Sequence, residues 1–116
     1  MIRLYLYYRE RNEAPGEMNI FETPQFPLTE EATEILAGNK NIRVERIISA
    51  GQVSGWYDQT ETEFVVLIEG SAVIEFENGG NIMMSRGDTL LIEPRERHRV
   101  SYTSIEPPCI WLCVFY

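Results

Sequence analysis

The 116-residue chain has one histidine, His98, two cysteines, and ten lysines and arginines against eighteen aspartates and glutamates. Each shortage excludes something. A net charge of −8 leaves no positive field for nucleic acid or an anionic membrane, since both are held by clustered basic side chains. No apolar run approaches the ~20 residues that span a bilayer. The N-terminus MIRLYLYYRERNEAPGEM puts its apolar stretch before its charges. A secretory leader runs the other way, so a cytoplasmic protein is expected. Cys109 and Cys113 lie four apart in PPCIWLCVFY, which reads as a strand. At ~3.3 Å per residue their Cα atoms stand roughly 13 Å apart, beyond disulfide reach. They are expected to pack as small hydrophobes rather than to do redox chemistry.

What is present points to one folded domain. Hydrophobic residues make up 44% and charged residues 24%, enough apolar surface for a core at this length. Early in the chain, LYLYY (4–8) has strand propensity, and NIFETPQFPL (19–28) reads as an irregular wrap. Thr29 before EEATEIL has the form of a helix N-cap followed by acidic residues in the first turn. A short helix ending near Gly38 is therefore expected.

From position 41 the texture changes. NIRVERIIS, EFVVLIE, SAVIEFE, NIMMS, DTLLIE, HRVSYTS and CIWLCVFY are short runs rich in Val, Ile and aromatics, separated by turn residues. Seven such runs imply an antiparallel sandwich or barrel. ENGGN (77–81) marks a hairpin, with Gly79 and Gly80 able to take positive φ. Alternation along 63–69 puts Glu63, Val65, Leu67 and Glu69 on one side and Phe64, Val66 and Ile68 on the other. Both sides are apolar, so this strand is expected to be buried twice, the second time against another subunit. A homodimer follows as an expectation. The alternating RERHR (95–99) should put Arg95, Arg97 and Arg99 on a face opposite His98, paired with acids. Met83 and Met84 are expected as core filler.

Glu63 followed by Gly70, and later GDTLLIEPRERH with Gly87-Asp88 opening and His98 closing, resemble the two motifs of the cupin family over roughly residues 41–116. The resemblance implies an all-β, cupin-type antiparallel β-barrel or jelly roll, here with one short N-terminal helix. It implies an N-terminal extension over 1–17, able to add an edge strand, a wrap and short helix over 18–40, and the barrel over 41–116. It also implies an inward-facing metal site. Glu63 stands where the family's ligating Glu would be and His98 where the second-motif His would be. The two upstream histidine positions hold Tyr57 and Gln59, and Pro94 is one place late, with Glu93 at the expected site. The wording looks most like small single-domain cupins with no settled activity.

Tight binding of a divalent transition metal usually needs three or more good ligands, with imidazole favoured. This chain offers one imidazole, one carboxylate, the weak amide oxygen of Gln59 and the Tyr57 phenol, whose ordinary pKa is about 10. Three readings stay open. In the preferred one, Glu63 and His98 form an acid–base pair in the barrel mouth, with Trp56, Tyr57 and Gln59 around a small polar organic ligand and no tightly bound metal. In the second, Gln59, Glu63 and His98 hold Zn, Fe, Mn or Ni in a dioxygenase- or isomerase-type enzyme. In the third, the barrel is a non-catalytic dimeric scaffold.

Overall fold

A computed structural model describes residues 18–23 and 28–116. Eight strands follow in order: β1 (Ala32–Gly38), β2 (Arg43–Ser49), β3 (Glu63–Glu69), β4 (Ala72–Phe76), β5 (Asn81–Met84), β6 (Thr89–Ile92), β7 (His98–Thr103) and β8 (Cys109–Phe115). They form a five-stranded sheet, β1-β2-β8-β3-β6, and a three-stranded sheet, β5-β4-β7. Every pairing is antiparallel. This is the expected all-β jelly-roll architecture, and the seven runs read after position 41 become β2 to β8. Among the described residues no helix is long and apolar enough to cross a membrane.

Period-two burial explains why the sheets close on each other. On β4, Ala72, Ile74 and Phe76 turn inward, and on β8 Cys109, Trp111, Cys113 and Phe115 do the same. Register aligns these residues into rows across the larger sheet. Trp111 lies between Ile47 and Leu67, Cys113 between Glu45 and Val65, and Phe115 between Arg43 and Glu63. Residues of both sheets meet in one core that includes Ile47, Leu67, Trp111, Ile74, Phe76 and Met84. Each large apolar side chain removed from water contributes about 1.5–3 kcal/mol, an upper bound because the unfolded chain is itself partly collapsed.

The cysteines behave as the sequence implies. Both are buried thiols that form no disulfide with each other. Burial pushes the Cys109 thiol up from its ordinary value, outweighing its hydrogen bonds to Ser104 and Ser71.

Two expectations are corrected. The short helix expected after Thr29 is strand β1, which pairs with β2 from Ala32↔Ile48 to Gly38↔Arg43. A helix of two turns has little intrinsic stability, whereas the strand is held by a ladder and by one buried ion pair. Glu34 stands opposite Arg46 in that ladder and accepts a hydrogen bond from it, both side chains being buried. Tertiary pairing overrides the capping signal. The second correction concerns the methionines: Met84 is in the core, but Met83, on the other face of an edge strand, is 82% exposed.

Arg46 also ties down what precedes the barrel. Its Nη1 donates to the carbonyls of Ile20 and Glu22, so the 18–23 segment lies over the outer face of the larger sheet at β2. Farther along that face, the cross-strand pair Phe64 and Leu91 remains 38% and 47% exposed. The outer side of β3 is therefore not fully buried within one chain. The edge strand expected within residues 1–17 lies outside the described residues.

Gly70 closes the first motif for a physical reason. Its φ is +93°, and a Cβ there would sit 2.8 Å from both Pro108 O and Cys109 Cα. Gly79, in the β4–β5 hairpin, has φ +100° with nothing within 4 Å of such a Cβ. Gly79→Ala is expected to cost about 1–2 kcal/mol, the left-handed strain alone. Gly70→Ala meets backbone atoms as well and is expected to cost clearly more, about 3 kcal/mol or above. Urea unfolding of the two variants beside the parent checks the order.

Candidate functional site

The site lies at one end of the barrel, where the two sheets each deliver one ionisable side chain. Glu63 opens β3 with Phe115 on one side and Ile92 on the other. His98 opens β7 opposite Phe76 of β4. A short antiparallel bridge outside the main strands holds His98 in place: Tyr57 N donates to His98 O at 2.7 Å, and His98 N to Tyr57 O at 3.2 Å. The Tyr57 and Phe76 rings flank the imidazole, with centroids 5.4 and 6.1 Å away.

Glu63 and His98 are 5% and 3% exposed. The His98 Nδ1 lies 2.9 Å from Glu96 O. A carbonyl only accepts, so Nδ1 carries a proton and Nε2 is the atom turned towards Glu63. Nε2 and Glu63 Oε1 are 3.9 Å apart, too far for a direct hydrogen bond. Gln59 Nε2 donates to the same Oε1 at 3.2 Å and to Glu61 O at 3.4 Å.

Tyr57, Gln59, Glu63 and His98 are thus brought together as the sequence implied. Trp56 is not. It neighbours Tyr57 in an extended segment, so its side chain falls on the opposite face. There Arg99 lies 4.6 Å and Arg97 5.9 Å from its ring centroid. The arginines of RERHR pair as expected, Arg95 with Asp58, Arg97 with Glu77 and Arg99 with Glu75.

A cavity of about 40 Å³ opens beside Glu63 and His98. That is room for a few waters or a molecule of a handful of heavy atoms, well short of the ~300–1,000 Å³ typical for larger ligands. Its polar lining comprises Glu31, Tyr57, Glu63 and His98, and apolar wall is supplied by Val65, Ile74, Val100 and Trp111 among others.

Sequence reasoning missed two parts of this region. Glu31 precedes β1 and accepts from Ser49 Oγ at 3.3 Å, while Ser49 Oγ itself takes the Trp111 indole N–H at 3.2 Å. Nothing in the local sequence marks Glu31, because its role comes from where β1 pairs. The second part is the charged group around Arg43. Arg43 donates to Glu45 and, through both terminal nitrogens, to Glu61, and its guanidinium lies 4.3 Å from the Phe115 ring centroid. Alternation in RVERIIS, with Arg43, Glu45 and core Ile47 in phase, was the available signal.

The cupin domain family profile matches residues 44–115, and the chain belongs to the cupin family. A crystal structure from Ralstonia eutropha JMP134, provisionally named a mannose-6-phosphate isomerase, is 36% identical over 85% of this chain and 95% of that one, with a TM-score of 0.80. A cupin superfamily protein from Desulfitobacterium hafniense DCB-2 is 14% identical over 79% of this chain and 82% of its own, with a TM-score of 0.69. The DMSP lyase DddQ from Ruegeria pomeroyi DSS-3 is 15% identical over 73% of this chain and 46% of its own, with a TM-score of 0.65. The last two likenesses bear on the fold alone. Among curated proteins none matches the chain.

Cupins often bind metals, so the donor set has to be tested against one. Among the described residues no three His, Cys, Asp or Glu side chains come together in a metal-binding group. The amide nitrogen of Gln59 is directed at Glu63 Oε1, an arrangement that pairs the two side chains with each other. His98 and Glu63, with Glu31 lining the same cavity but not grouped with them, do not make the three- or four-ligand set of a tight transition-metal centre. The residues do not fit such a metal.

An exposed ion pair steadies the loop that carries Gln59. Arg95, at φ 64°, donates through its backbone N to Gln59 O at 2.7 Å, and its side chain holds both oxygens of Asp58 at 2.6 and 2.9 Å. The hydrogen bond from Arg95 holds the Asp58 carboxyl below its ordinary value of 3.8. A depressed carboxyl stabilises the folded state above its unfolded pKa, and that contribution is lost as pH falls through the folded value. In a carboxyl-carbon NMR titration, Asp58 is expected to titrate below 3.8 and to return towards it in Arg95→Ala.

Proposed function

We propose that this cupin binds a small polar organic molecule in the barrel cavity, with Glu63 and His98 handling a proton of the bound molecule. The observation that carries the reading is the 3.9 Å gap between His98 Nε2 and Glu63 Oε1 in side chains that are otherwise buried. Glu63 Oε1 already accepts from Gln59, and an imidazole nitrogen that deep in a protein normally meets a partner as well. Here they face each other beyond hydrogen-bond reach, and one ligand oxygen or nitrogen between them would touch both.

The roles follow from the bonds already made. With Nδ1–H given to Glu96 O, a neutral ring presents its Nε2 lone pair to the cavity as a base. When Nε2 takes a proton, the Glu63 carboxylate offsets the charge the ring acquires. Gln59 fixes Glu63 by donating to Oε1, the same oxygen that faces His98 Nε2, so a ligand atom in the gap shares Oε1 with the amide. The small volume and the Val65, Ile74 and Val100 walls restrict the ligand's size. A homodimer through the open Phe64–Leu91 face remains part of the proposal. Phe64→Glu is expected to turn a dimer into a monomer in analytical ultracentrifugation.

The test uses untagged protein, because a tag would add histidines to a chain with one. Small amines, alcohols and carbonyl compounds are screened for a rise in melting temperature. The expected result is a rise with at least one compound, lost in His98→Ala and in Glu63→Gln. Where the compound is also turned over, His98→Ala is expected to slow the reaction by about 10²–10⁴. Elemental analysis alongside gives the opposing outcome: one equivalent of transition metal per chain, lost in His98→Ala, would overturn the metal-free reading.

A further inference from the structure

We propose that Arg95 is a positioning residue for the Glu63–His98 pair, acting from outside the cavity through the β6–β7 turn. The proposal rests on the reading that these two side chains handle a proton, and it names what holds them at their separation.

Glu63 belongs to the five-stranded sheet and His98 to the three-stranded one, so no ladder within either sheet fixes their distance. The turn at 93–97, which joins β6 of one sheet to β7 of the other, reaches both. Arg95 N donates to Gln59 O at 2.7 Å, and Gln59 Nε2 donates to Glu63 Oε1 at 3.2 Å. One residue on, Glu96 O takes the His98 Nδ1–H at 2.9 Å. The turn is closed on itself, with Glu96 N donating to Glu93 O at 3.2 Å and Glu93 N to Glu96 Oε1 at 3.0 Å. Consecutive residues of one turn thus set the carboxylate oxygen, through Gln59, and the nitrogen that the imidazole presents.

The backbone of Arg95 is strained to make these contacts. Its φ of 64° is left-handed, and among the described residues no other non-glycine has a positive φ. Glycine takes that conformation freely, whereas a side chain there persists only where its surroundings hold it. Here they do. Arg95 Nε and Nη2 donate to Asp58 Oδ1 and Oδ2 at 2.6 and 2.9 Å, across 37 residues of chain. Asp58 precedes Gln59 in an extended segment, so their side chains fall on opposite faces. Clamping Asp58 outward aims Gln59 at Glu63.

Arg97 provides the comparison within the same turn. Its pair with Glu77 is as exposed in kind as that of Arg95 with Asp58, the two arginine side chains being 43% and 66% exposed. Glu77 follows β4 and has no bond to Gln59 or Glu63, so the Arg97 pair makes no connection of this sort. Exposed pairs contribute little to stability, which allows either to be removed from a folded protein.

Two NMR signals of the isotopically labelled, untagged full chain report on the site near neutral pH: the Gln59 side-chain amide, and the imidazole nitrogens of the single histidine, which show where the ring proton sits. Arg95→Ala, Arg95→Lys and Asp58→Asn are compared with Arg97→Ala. Lysine keeps the charge without the two-nitrogen grip on a carboxylate. All three clamp variants are expected to speed solvent exchange of the Gln59 amide by about two- to fivefold, the range an exposed ion pair supplies. They are also expected to move the His98 signals in a common direction, with the melting temperature nearly unchanged. Charge alone would move His98 oppositely in Arg95→Ala and Asp58→Asn, because one loses a cation and the other an anion. Arg97→Ala is expected to leave the Gln59 amide unmoved. Opposite shifts of His98, a silent Arg95→Lys, or unchanged Gln59 exchange would overturn the positioning role and leave the proton-handling reading intact. Glu63→Gln tests that reading separately: His98 signals that ignore it would sink the pair, and the positioning role with it. Should one clamp variant not fold, the other two decide the matter.

Discussion

Strand β8 is the constraint on which the rest of the structure depends. It is hydrogen-bonded to β2 on one side and β3 on the other, so its register sets both. Because Phe115 falls between Arg43 and Glu63, the charged group around Arg43 and the proposed proton-handling carboxylate end up in one row at one end of the barrel. A slip of one residue between β8 and β3 would put Glu63 and the row of Trp111, Cys113 and Phe115 on opposite faces. The register is therefore held by the apolar burial of the core, and the chemistry inherits its placement from that burial.

The polar end of the barrel shows how a small acidic protein can keep carboxylates inside. Glu34 and Glu45 are buried, and each has an arginine. Such pairs contribute little net stability, since desolvation offsets much of the attraction, but breaking one would strand a buried charge. Glu63 is treated differently. Among the described residues it meets an amide from Gln59 and an imidazole just out of reach, with no arginine beside it. The placement leaves it available to a ligand, which is why the cavity, rather than the better-paired carboxylates, carries the functional reading.

The family's metal motif and this chain diverge at two positions, and the structure shows what replaced the ligands. Tyr57 uses its backbone to hold His98 by a bridge and its ring to pack the imidazole, and Gln59 anchors Glu63. His98 keeps the inward Nε2 and the outward Nδ1–H to a carbonyl, an arrangement equally suited to a base.

The sequence by itself determined the strand runs from β2 to β8, the hairpin at Gly79 and the burial of both cysteines, while the grouping of Tyr57, Gln59, Glu63 and His98 was implied by the resemblance to the cupin motifs. Those features are written in period-two alternation, in turn residues, and in motif spacing, all of which are local. Tertiary structure decided the others. Residues 32–38 became a strand because β2 offered a ladder and Arg46 a buried partner for Glu34, a contact 12 residues away in the chain. Trp56 went to the outer face because the bridge to His98 set the phase of its segment. Glu31 reached the cavity through pairing of β1 that no neighbouring residue announces, and the choice between its possible surroundings was made by long-range packing rather than by local propensity.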